Sequence, residues 1–242
     1  MSNRLLEKLN IRLKNVHIPQ DCFLCGVAGQ RAILCGACED NLPRLPSACC
    51  PVCSLPTLDG LICGRCLKKA PAFDDSVAAF DYGFPVDVLI RQFKYSHQLA
   101  LGPWLAERLL VRLSGMPLPK AALAMPLSRA RLHERGFNQS LEIAKPLCRA
   151  LGLPLLPHAC ERIRDTESQT TLPWKERAQN VRGAFACRED LAGKHIAIID
   201  DVMTTGASVN ELAKTLKKSG AARVSAWVIA RTRLESFQLG TF

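Results

Sequence analysis

The chain has 242 residues, 48% of them hydrophobic and 22% charged, and its 15 glycines and 15 prolines exclude collagen-like and disordered classes. Two counts are unusual: there are 12 cysteines, and 32 lysines and arginines oppose 22 acidic residues, which gives a net charge of +10. This excess of positive charge favours an anionic partner, either phosphate groups or nucleic acid.

No targeting segment is predicted. Charged residues interrupt the leucines of residues 1–13, which therefore lack the apolar stretch of a signal peptide. The sequence contains no run of about 18 apolar residues, the length that a membrane-spanning helix needs. We therefore expect a cytoplasmic protein without membrane insertion. Because thiols stay reduced in that compartment, metal binding explains paired cysteines better than disulfides do.

The N-terminal segment repeats a set of four cysteines, each set consisting of two C-x-x-C pairs. Every member of the first set recurs 28 positions later (22 to 50, 25 to 53, 35 to 63 and 38 to 66). Four thiolates supply a tetrahedral zinc site, so we predict two structural zinc sites. Disulfides or buried thiols are the alternative explanation. Pairing within each set is the simpler arrangement, and an interleaved arrangement stays open. The first cysteine set is Cys22, Cys25, Cys35 and Cys38, and the second is Cys50, Cys53, Cys63 and Cys66.

From Pro71 onward, apolar patterns of strands and helices alternate along the chain. Strands are predicted at residues 76–82, 121–126, 194–201 and 223–230. Helices are predicted at residues 86–95, 101–113 and 139–151 and after Ser208, with Pro146 expected to kink or shorten the third. This alternation predicts an α/β fold with a parallel sheet. We expect two domains, a double zinc ribbon in residues 1–70 and the sheet domain in residues 71–242.

The connection between the strand predicted at residues 194–201 and the helix after it combines two kinds of ligand group. Asp200 and Asp201 end the strand; as carboxylate acceptors they suit the vicinal hydroxyls of a ribose. The five residues of the 204–208 loop offer backbone N–H groups, hydroxyls and a helix N-terminus to a phosphate. They are Thr204, Thr205, Gly206, Ala207 and Ser208. We predict a site for a sugar 5′-phosphate, followed by a helix with a Ser208-x-x-Glu211 capping box. A strand–loop–helix connection rich in turn residues is the alternative.

Three arginines, Arg129, Arg131 and Arg135, follow the strand predicted at residues 121–126. This position is the carboxyl end of a strand, the side of a parallel sheet on which ligands bind. Guanidinium groups match the geometry of phosphate oxygens, so we predict that these arginines bind a diphosphate. Solvated surface charges are the alternative explanation.

The segment from Asp200 to Ser208 resembles the 5-phosphoribosyl-1-pyrophosphate (PRPP) signature of type I phosphoribosyltransferases. Four further stretches resemble the ComF family, so the resemblance extends from Cys22 to about Arg231. These stretches are the paired C-x-x-C motifs, Phe93-Lys94-Tyr95, the block from Arg129 to Gln139 that ends in Arg-Gly-Phe-Asn-Gln, and the segment from Arg162 through Gln169, Arg177 and Asn180 to Phe185.

The resemblance implies a type I phosphoribosyltransferase-like fold that binds PRPP and Mg²⁺ through the two acids and the 204–208 loop. It implies pentosyl transfer from PRPP to an unidentified acceptor and a role in DNA uptake during natural transformation. It also implies a hood over the second substrate between Arg162 and Phe185, for which a plain long connection is the alternative. Thr204 replaces the Asp that serves as base in purine salvage, which argues against that role. A non-catalytic single-stranded-DNA-binding or adaptor protein of the competence machinery is the alternative. Its motivation is the net charge, the zinc head and aromatic residues such as Trp104, Phe137 and Trp174.

Overall fold

The computed structural model describes residues 20–164 and 180–233. The chain divides into two compact units, Met1–Leu42 and Pro43–Phe242. The first unit, in its described part, contains the first cysteine set and the short helix α1 (Gly36–Asp40). In the same unit, Gln20 and Gln30 are paired by two backbone hydrogen bonds of 3.0 and 2.8 Å. The folded chain thus divides after Leu42, whereas the composition changes near residue 70.

The second unit contains a four-stranded parallel sheet with strand order β1-β6-β5-β2. A separate antiparallel pair joins β3 to β4. The parallel sheet predicted from the alternating pattern is confirmed, whereas the antiparallel pair was not predicted. The strands are β1 (Asp75–Asp81), β2 (Ala121–Ala124), β3 (Cys160–Arg162), β4 (Phe185–Cys187), β5 (His195–Met203) and β6 (Arg223–Arg231).

Helices cover both faces of this sheet. Ile196 and Ile198 of β5 share a core cluster with Leu212 and Leu216 of the last helix, α7. The alternate residues of β5 face the other side, where α4 and α6 pack against each other and against the sheet. The helices of the second unit are α2 (Gly64–Lys68), α3 (Val86–Tyr95), α4 (Leu101–Arg112), α5 (Arg129–Arg135), α6 (Gln139–Leu151) and α7 (Ala207–Lys218). Of these, α2 and α5 were not predicted.

Pro146 lies inside α6 and does not shorten it, so that part of the expectation was wrong. The helix is capped by Asn138, whose side chain accepts hydrogen bonds from the Ser140 and Leu141 N–H groups at 3.0 and 3.3 Å. Close packing supports the same helix, because a Cβ on Gly102 of α4 would lie only 3.2 Å from the Glu142 carbonyl oxygen. Tertiary packing therefore outweighs the local cost of an internal proline, about 3 kcal/mol.

The chain around the second cysteine set, residues 43–70, is called the second ribbon below, and it covers the outer edge of β1. The Asp81 N–H donates to the Pro43 carbonyl at 2.8 Å, and the Ser76 N–H donates to the Pro51 carbonyl at 3.1 Å. Arg44 and Phe80 form an antiparallel bridge between these two bonds. Since an exposed strand edge invites pairing with other chains, this segment completes the sheet as well as holding the cysteines.

Two expectations fall partly outside the described residues. Gln169 and Arg177 of the predicted hood and Trp174 of the predicted nucleic-acid surface all lie there. Among the residues that are described, no helix has both the length and the apolar character that crossing a membrane requires.

Candidate functional site

The eight predicted cysteine ligands form two clusters, one from each set. Within each cluster the four sulfur atoms lie within 4.8 Å of one another, which confirms pairing within each set. Sulfur atoms around a tetrahedral zinc ion, with Zn–S bonds of about 2.3 Å, lie about 3.8 Å apart. The Sγ atoms of Cys25 and Cys35 are 3.7 Å apart and those of Cys53 and Cys63 are 3.5 Å apart. Donor type and spacing therefore both fit structural zinc.

Backbone N–H groups favour the thiolate form at equivalent positions of the two clusters. The Cys35 N–H donates to the Cys22 sulfur at 3.3 Å, and the Cys63 N–H donates to the Cys50 sulfur at 3.3 Å. Burial opposes ionisation, but these and neighbouring N–H groups lower the pKa of Cys22 to about 6 and that of Cys50 to about 7. Hydrogen bonds to neighbouring thiols raise the pKa of Cys38 to about 12, and burial raises that of Cys53 to about 11. Because the thiolate is the metal-binding form, Cys22 and Cys50 are the ligands that ionise most readily among these four.

A cavity of about 460 Å³ opens where β2 and β5 end. The structure brings both predicted acids and most of the 204–208 loop to its wall: Asp200, Asp201, Thr204, Gly206, Ala207 and Ser208. Thr205 is not among the described lining residues, and its Oγ1 accepts a hydrogen bond from the Ala207 N–H at 3.2 Å. Gly206 has φ of 79°, a left-handed conformation that glycine adopts without strain.

The helix after this loop begins two residues earlier than a capping box with Ser208 as its N-cap requires. Gly206 is the N-cap of α7, a residue without a side chain to cap the helix, so the predicted capping box was wrong. The Glu211 carboxylate instead accepts hydrogen bonds from the Gly183 N–H at 2.8 Å and from Lys214 Nζ at 3.0 Å. The positive end of α7 therefore faces the cavity without an N-cap side chain, an arrangement that favours an anion.

The two predicted acids have different partners. Asp200 Oδ1 accepts hydrogen bonds from Ser140 Oγ and from the Asp201 N–H, both at 2.9 Å. Asp201 Oδ2 lies 2.9 Å from Lys94 Nζ. Burial, together with the charge of Asp201, raises the pKa of Asp200 to about 7. Both carboxylates therefore line the cavity, but Asp200 is held by a hydroxyl and a backbone N–H, whereas Asp201 is paired with a cation.

The three predicted arginines separate on α5. Arg131 and Arg135 line the cavity, whereas Arg129 is exposed and is not among the described lining residues. Residues four apart share a helix face and residues two apart do not, so the unpredicted helix explains the separation. Arg135 Nη2 also donates to Tyr95 Oη at 3.2 Å, and its guanidinium lies 5.0 Å from the centroid of that ring.

Residues that the sequence did not mark as site residues complete the cavity. Gln139 and Thr232 are only 4% and 5% exposed, and Gln139 Oε1 and Thr232 Oγ1 have no hydrogen-bond partner among the described residues. Both side chains line the cavity, as do Lys94 and Arg162. Lys94 and Gln139 lie within the stretches that resemble the ComF family, and this position could have marked them as site residues. No sequence motif marks Thr232, because it reaches the cavity only through the position of β6 in the sheet.

The parallel sheet with its cavity at the strand ends, joined to two four-cysteine clusters, defines a protein of the phosphoribosyltransferase type that carries a double zinc ribbon. Comparison with protein families agrees: residues 13–67 match the double zinc ribbon domain and residues 138–236 match the phosphoribosyl transferase domain. The DNA utilization protein YhgH of Escherichia coli O157:H7 is 36% identical over 225 residues, which cover 89% of this chain and 98% of that protein. The chain therefore belongs to the ComF family of competence and DNA utilization proteins.

A second relative has a competence name. Competence protein F of Haemophilus influenzae is 33% identical over 208 residues, which cover 82% of this chain and 90% of that protein. Among solved structures, the glutamine PRPP amidotransferase of B. subtilis, complexed with ADP and GMP, is 18% identical with a TM-score of 0.33. That match covers 55% of this chain and 26% of the amidotransferase chain.

Proposed function

We propose that the chain binds PRPP with Mg²⁺ in the cavity and transfers its phosphoribosyl group to an acceptor. The observation that carries this proposal is that one cavity wall contains two carboxylates and a loop at the start of a helix whose N-cap is a glycine. In this proposal the 5′-phosphate binds at the 204–208 loop and the ribose hydroxyls bind at Asp200 and Asp201. The zinc sites keep their cysteines reduced, which is consistent with a cytoplasmic location.

The cations of the cavity support the diphosphate half of the proposal. Arg131, Arg135 and Lys94 line the same cavity as the acids. When the bond from ribose C1 to the diphosphate breaks, negative charge grows on the leaving group and positive charge on the sugar. Fixed cations at the leaving group stabilise that transition state. Arg129 stays a diphosphate candidate from the sequence, at an exposed position on the same helix.

Magnesium fits the oxygen donors of this site. Mg²⁺ is bound by one or two carboxylates together with substrate phosphates, and it would clamp the diphosphate and offset its charge. Asp200 and Asp201 are the carboxylates on the cavity wall, and Lys94 balances Asp201 through the 2.9 Å ion pair. We infer that the chain's own part is to hold the ribose through these acids and to keep the leaving group near the arginines.

Calorimetry with PRPP and Mg²⁺ tests this function. We expect the wild-type chain to bind PRPP and the Asp200→Asn, Asp201→Asn double variant to bind at least about 100-fold more weakly, because hydrogen bonds to charged groups contribute about 1.5 to 3 kcal/mol each. Asp59→Asn is the matched control, since Asp59 is exposed on the second ribbon. The absence of wild-type binding, or equal affinities of the double variant and the control, would contradict the proposal.

A second candidate function, binding of single-stranded DNA, is favoured by the aromatic rim of the cavity. Phe84 is 81% exposed and Tyr95 is 56% exposed, and both line the cavity beside Arg131 and Arg135. Exposed aromatic rings stack on bases while arginines contact the phosphates. The names of the relatives, which refer to competence and DNA utilization, fit this candidate and a role in DNA uptake.

Gel-shift titration at low and high salt tests the DNA candidate. We expect Phe84→Ala to weaken single-strand binding by about tenfold, since stacking contributes about 1 to 3 kcal/mol per base. Leu118→Ala, an exposed apolar side chain before β2, is the control and keeps wild-type affinity. A wild-type chain that binds no single-stranded DNA at low salt, where such contacts are strongest, rules the candidate out.

A further inference from the structure

Two arginines donate hydrogen bonds to carbonyl groups of the 204–208 loop and of the residue before it. Arg231, only 1% exposed, donates from Nη1 to the Met203 carbonyl at 2.8 Å and to the Thr204 carbonyl. Arg65 of α2 donates from Nη2 to the Thr205 carbonyl at 3.1 Å. Neither arginine belongs to the described lining of the cavity. Three consecutive carbonyl groups, those of Met203, Thr204 and Thr205, are therefore held by side chains that are not among the described lining of the cavity.

The direction of these carbonyls determines the direction of the N–H groups. In a planar trans peptide, each carbonyl and the N–H of the next residue point in opposite directions. Within the described residues the single cis peptide is Phe84–Pro85, so the loop peptides are trans. The N–H groups of Thr204, Thr205 and Gly206 therefore point away from the two arginines, and Thr204 and Gly206 line the cavity in which a phosphate would accept their hydrogen bonds.

Both arginines are also tied to the second cysteine set. Arg231 Nε donates to the carbonyl of Cys53 at 2.8 Å, and Arg65 lies on α2 next to Cys66. Four thiolates around Zn²⁺ have a net negative charge, so a zinc-loaded second set provides the counter-charge for a buried guanidinium.

The first cysteine set has no equivalent of Arg65. In the 28-residue repeat, position 65 corresponds to position 37, which is Ala37. Alanine has no side-chain donor. The two sets therefore share their ligands but differ at the side chain that contacts the 204–208 loop.

We propose that the zinc-loaded second ribbon positions the 204–208 loop through Arg231 and Arg65, so that PRPP affinity depends on zinc at the second cysteine set. Both arginines are positioning residues, which act on PRPP through the loop amides. This inference rests on the proposed PRPP function of the same loop.

The test compares two zinc-loaded full-length variants, Arg65→Ala and Lys68→Ala. Each removes one positive charge from α2, but of the two only Arg65 has a hydrogen bond to the loop within the described residues. We expect Arg65→Ala to weaken PRPP binding in calorimetry by about tenfold, within the usual range of coupling between sites. We also expect faster hydrogen exchange at the amides of residues 204–206. Lys68→Ala should change neither measurement by more than about twofold, and both variants should melt near the wild-type temperature because both side chains are exposed.

Zinc removal is the second arm of the experiment. After a chelator has extracted the metal from the wild-type chain, we expect the amides of residues 204–206 to exchange faster while those of α4 keep their protection. Equal behaviour of the two variants in both measurements, or loop exchange that does not respond to zinc removal, would overturn the inference. If the wild-type chain binds no PRPP, the proposed function fails, and hydrogen exchange still decides whether the ribbon positions the loop.

Discussion

The two cysteine sets have the same spacing and the same local geometry but different surroundings. In both, a backbone N–H reaches the first sulfur at 3.3 Å. Cys25 of the first set is exposed, whereas its counterpart Cys53 is buried in a small core with Leu55. The second set also lies in the same compact unit as the sheet. The spacing of the cysteines thus determines that a metal site forms, and the residues around the cysteines determine which part of the structure that site contacts.

The turn after the first C-x-x-C pair shows how the second set is connected. Gly26 has φ of 72° in the first set, and Ser54 has φ of 56° at the equivalent position in the second. A non-glycine residue is uncommon in this conformation. Ser54 is buried, and its Oγ lies 2.8 Å from Ser76 Oγ and donates to the Ser76 carbonyl at 2.9 Å. The serine therefore links the ribbon to β1 at a position where glycine has no side chain to do so.

The largest expected difference between the sets is in thermal stability. Cys50→Ser should lower the melting temperature of the cooperative transition by about 10 °C or more, because metal binding at the second set contributes to folding of the sheet unit. Cys22→Ser, the equivalent change in the first set, should leave that transition within about 3 °C of wild type. The prediction is checked by measuring the melting temperature by calorimetry and the zinc content of the same samples. Equal losses of melting temperature would show that the two sets have the same structural role.

A smaller difference is expected in the rate of zinc release. Because Cys25 is exposed while Cys50, Cys53 and Cys66 are buried, a colorimetric chelator should extract zinc in two phases. We expect the first set to release zinc about tenfold faster than the second, since exposing its cysteines needs only local unfolding. The Cys22→Ser variant should retain the slow phase alone. A single rate of zinc release from the wild-type chain would contradict the expected difference in accessibility between the two sets.

The smallest expected effect is at the turn. Ser54→Ala should reduce the free energy of unfolding by about 1 to 2 kcal/mol, since it removes a buried hydrogen bond and keeps a Cβ at positive φ. Ser54→Gly, which copies the first set, should cost less because glycine adopts this conformation without strain. Ser47→Ala, at an exposed position, is the control. Urea denaturation measures all three. If Ser54→Gly is the more damaging change, the expected advantage of glycine at this turn is wrong.

Much of the fold followed from local pattern. The helices Val86–Tyr95 and Gln139–Leu151 have the predicted bounds, and the four strands of the parallel sheet lie within a few residues of their predicted positions. Helix α5 was missed because most of its seven residues are charged or titratable, which leaves no apolar face of useful length. Without that helix, the sequence could not separate Arg129 from Arg131 and Arg135.

The predicted domain boundary between residues 70 and 71 stays a prediction. Composition changes there, but hydrogen bonds cross it, from Ser76 to Pro51 and from Asp81 to Pro43. Composition reports the chemistry of each segment and carries no information on which strand edge a segment covers. This is why composition divides the ribbons from the sheet at one place and the folded chain divides at another.

The sequence by itself determined the features that depend on near neighbours: the two four-cysteine sets, the alternation of strands and helices, and the acids and loop at the end of β5. Only the tertiary structure decided which distant groups meet. Ser140 donates a hydrogen bond to Asp200, 60 residues away in the sequence, and Arg231 donates one to the Cys53 carbonyl, 178 residues away. Metal spacing and helical periodicity are local properties of a chain. The contacts that orient the loop depend on how the sheet brings β6, the second ribbon and the 204–208 loop together.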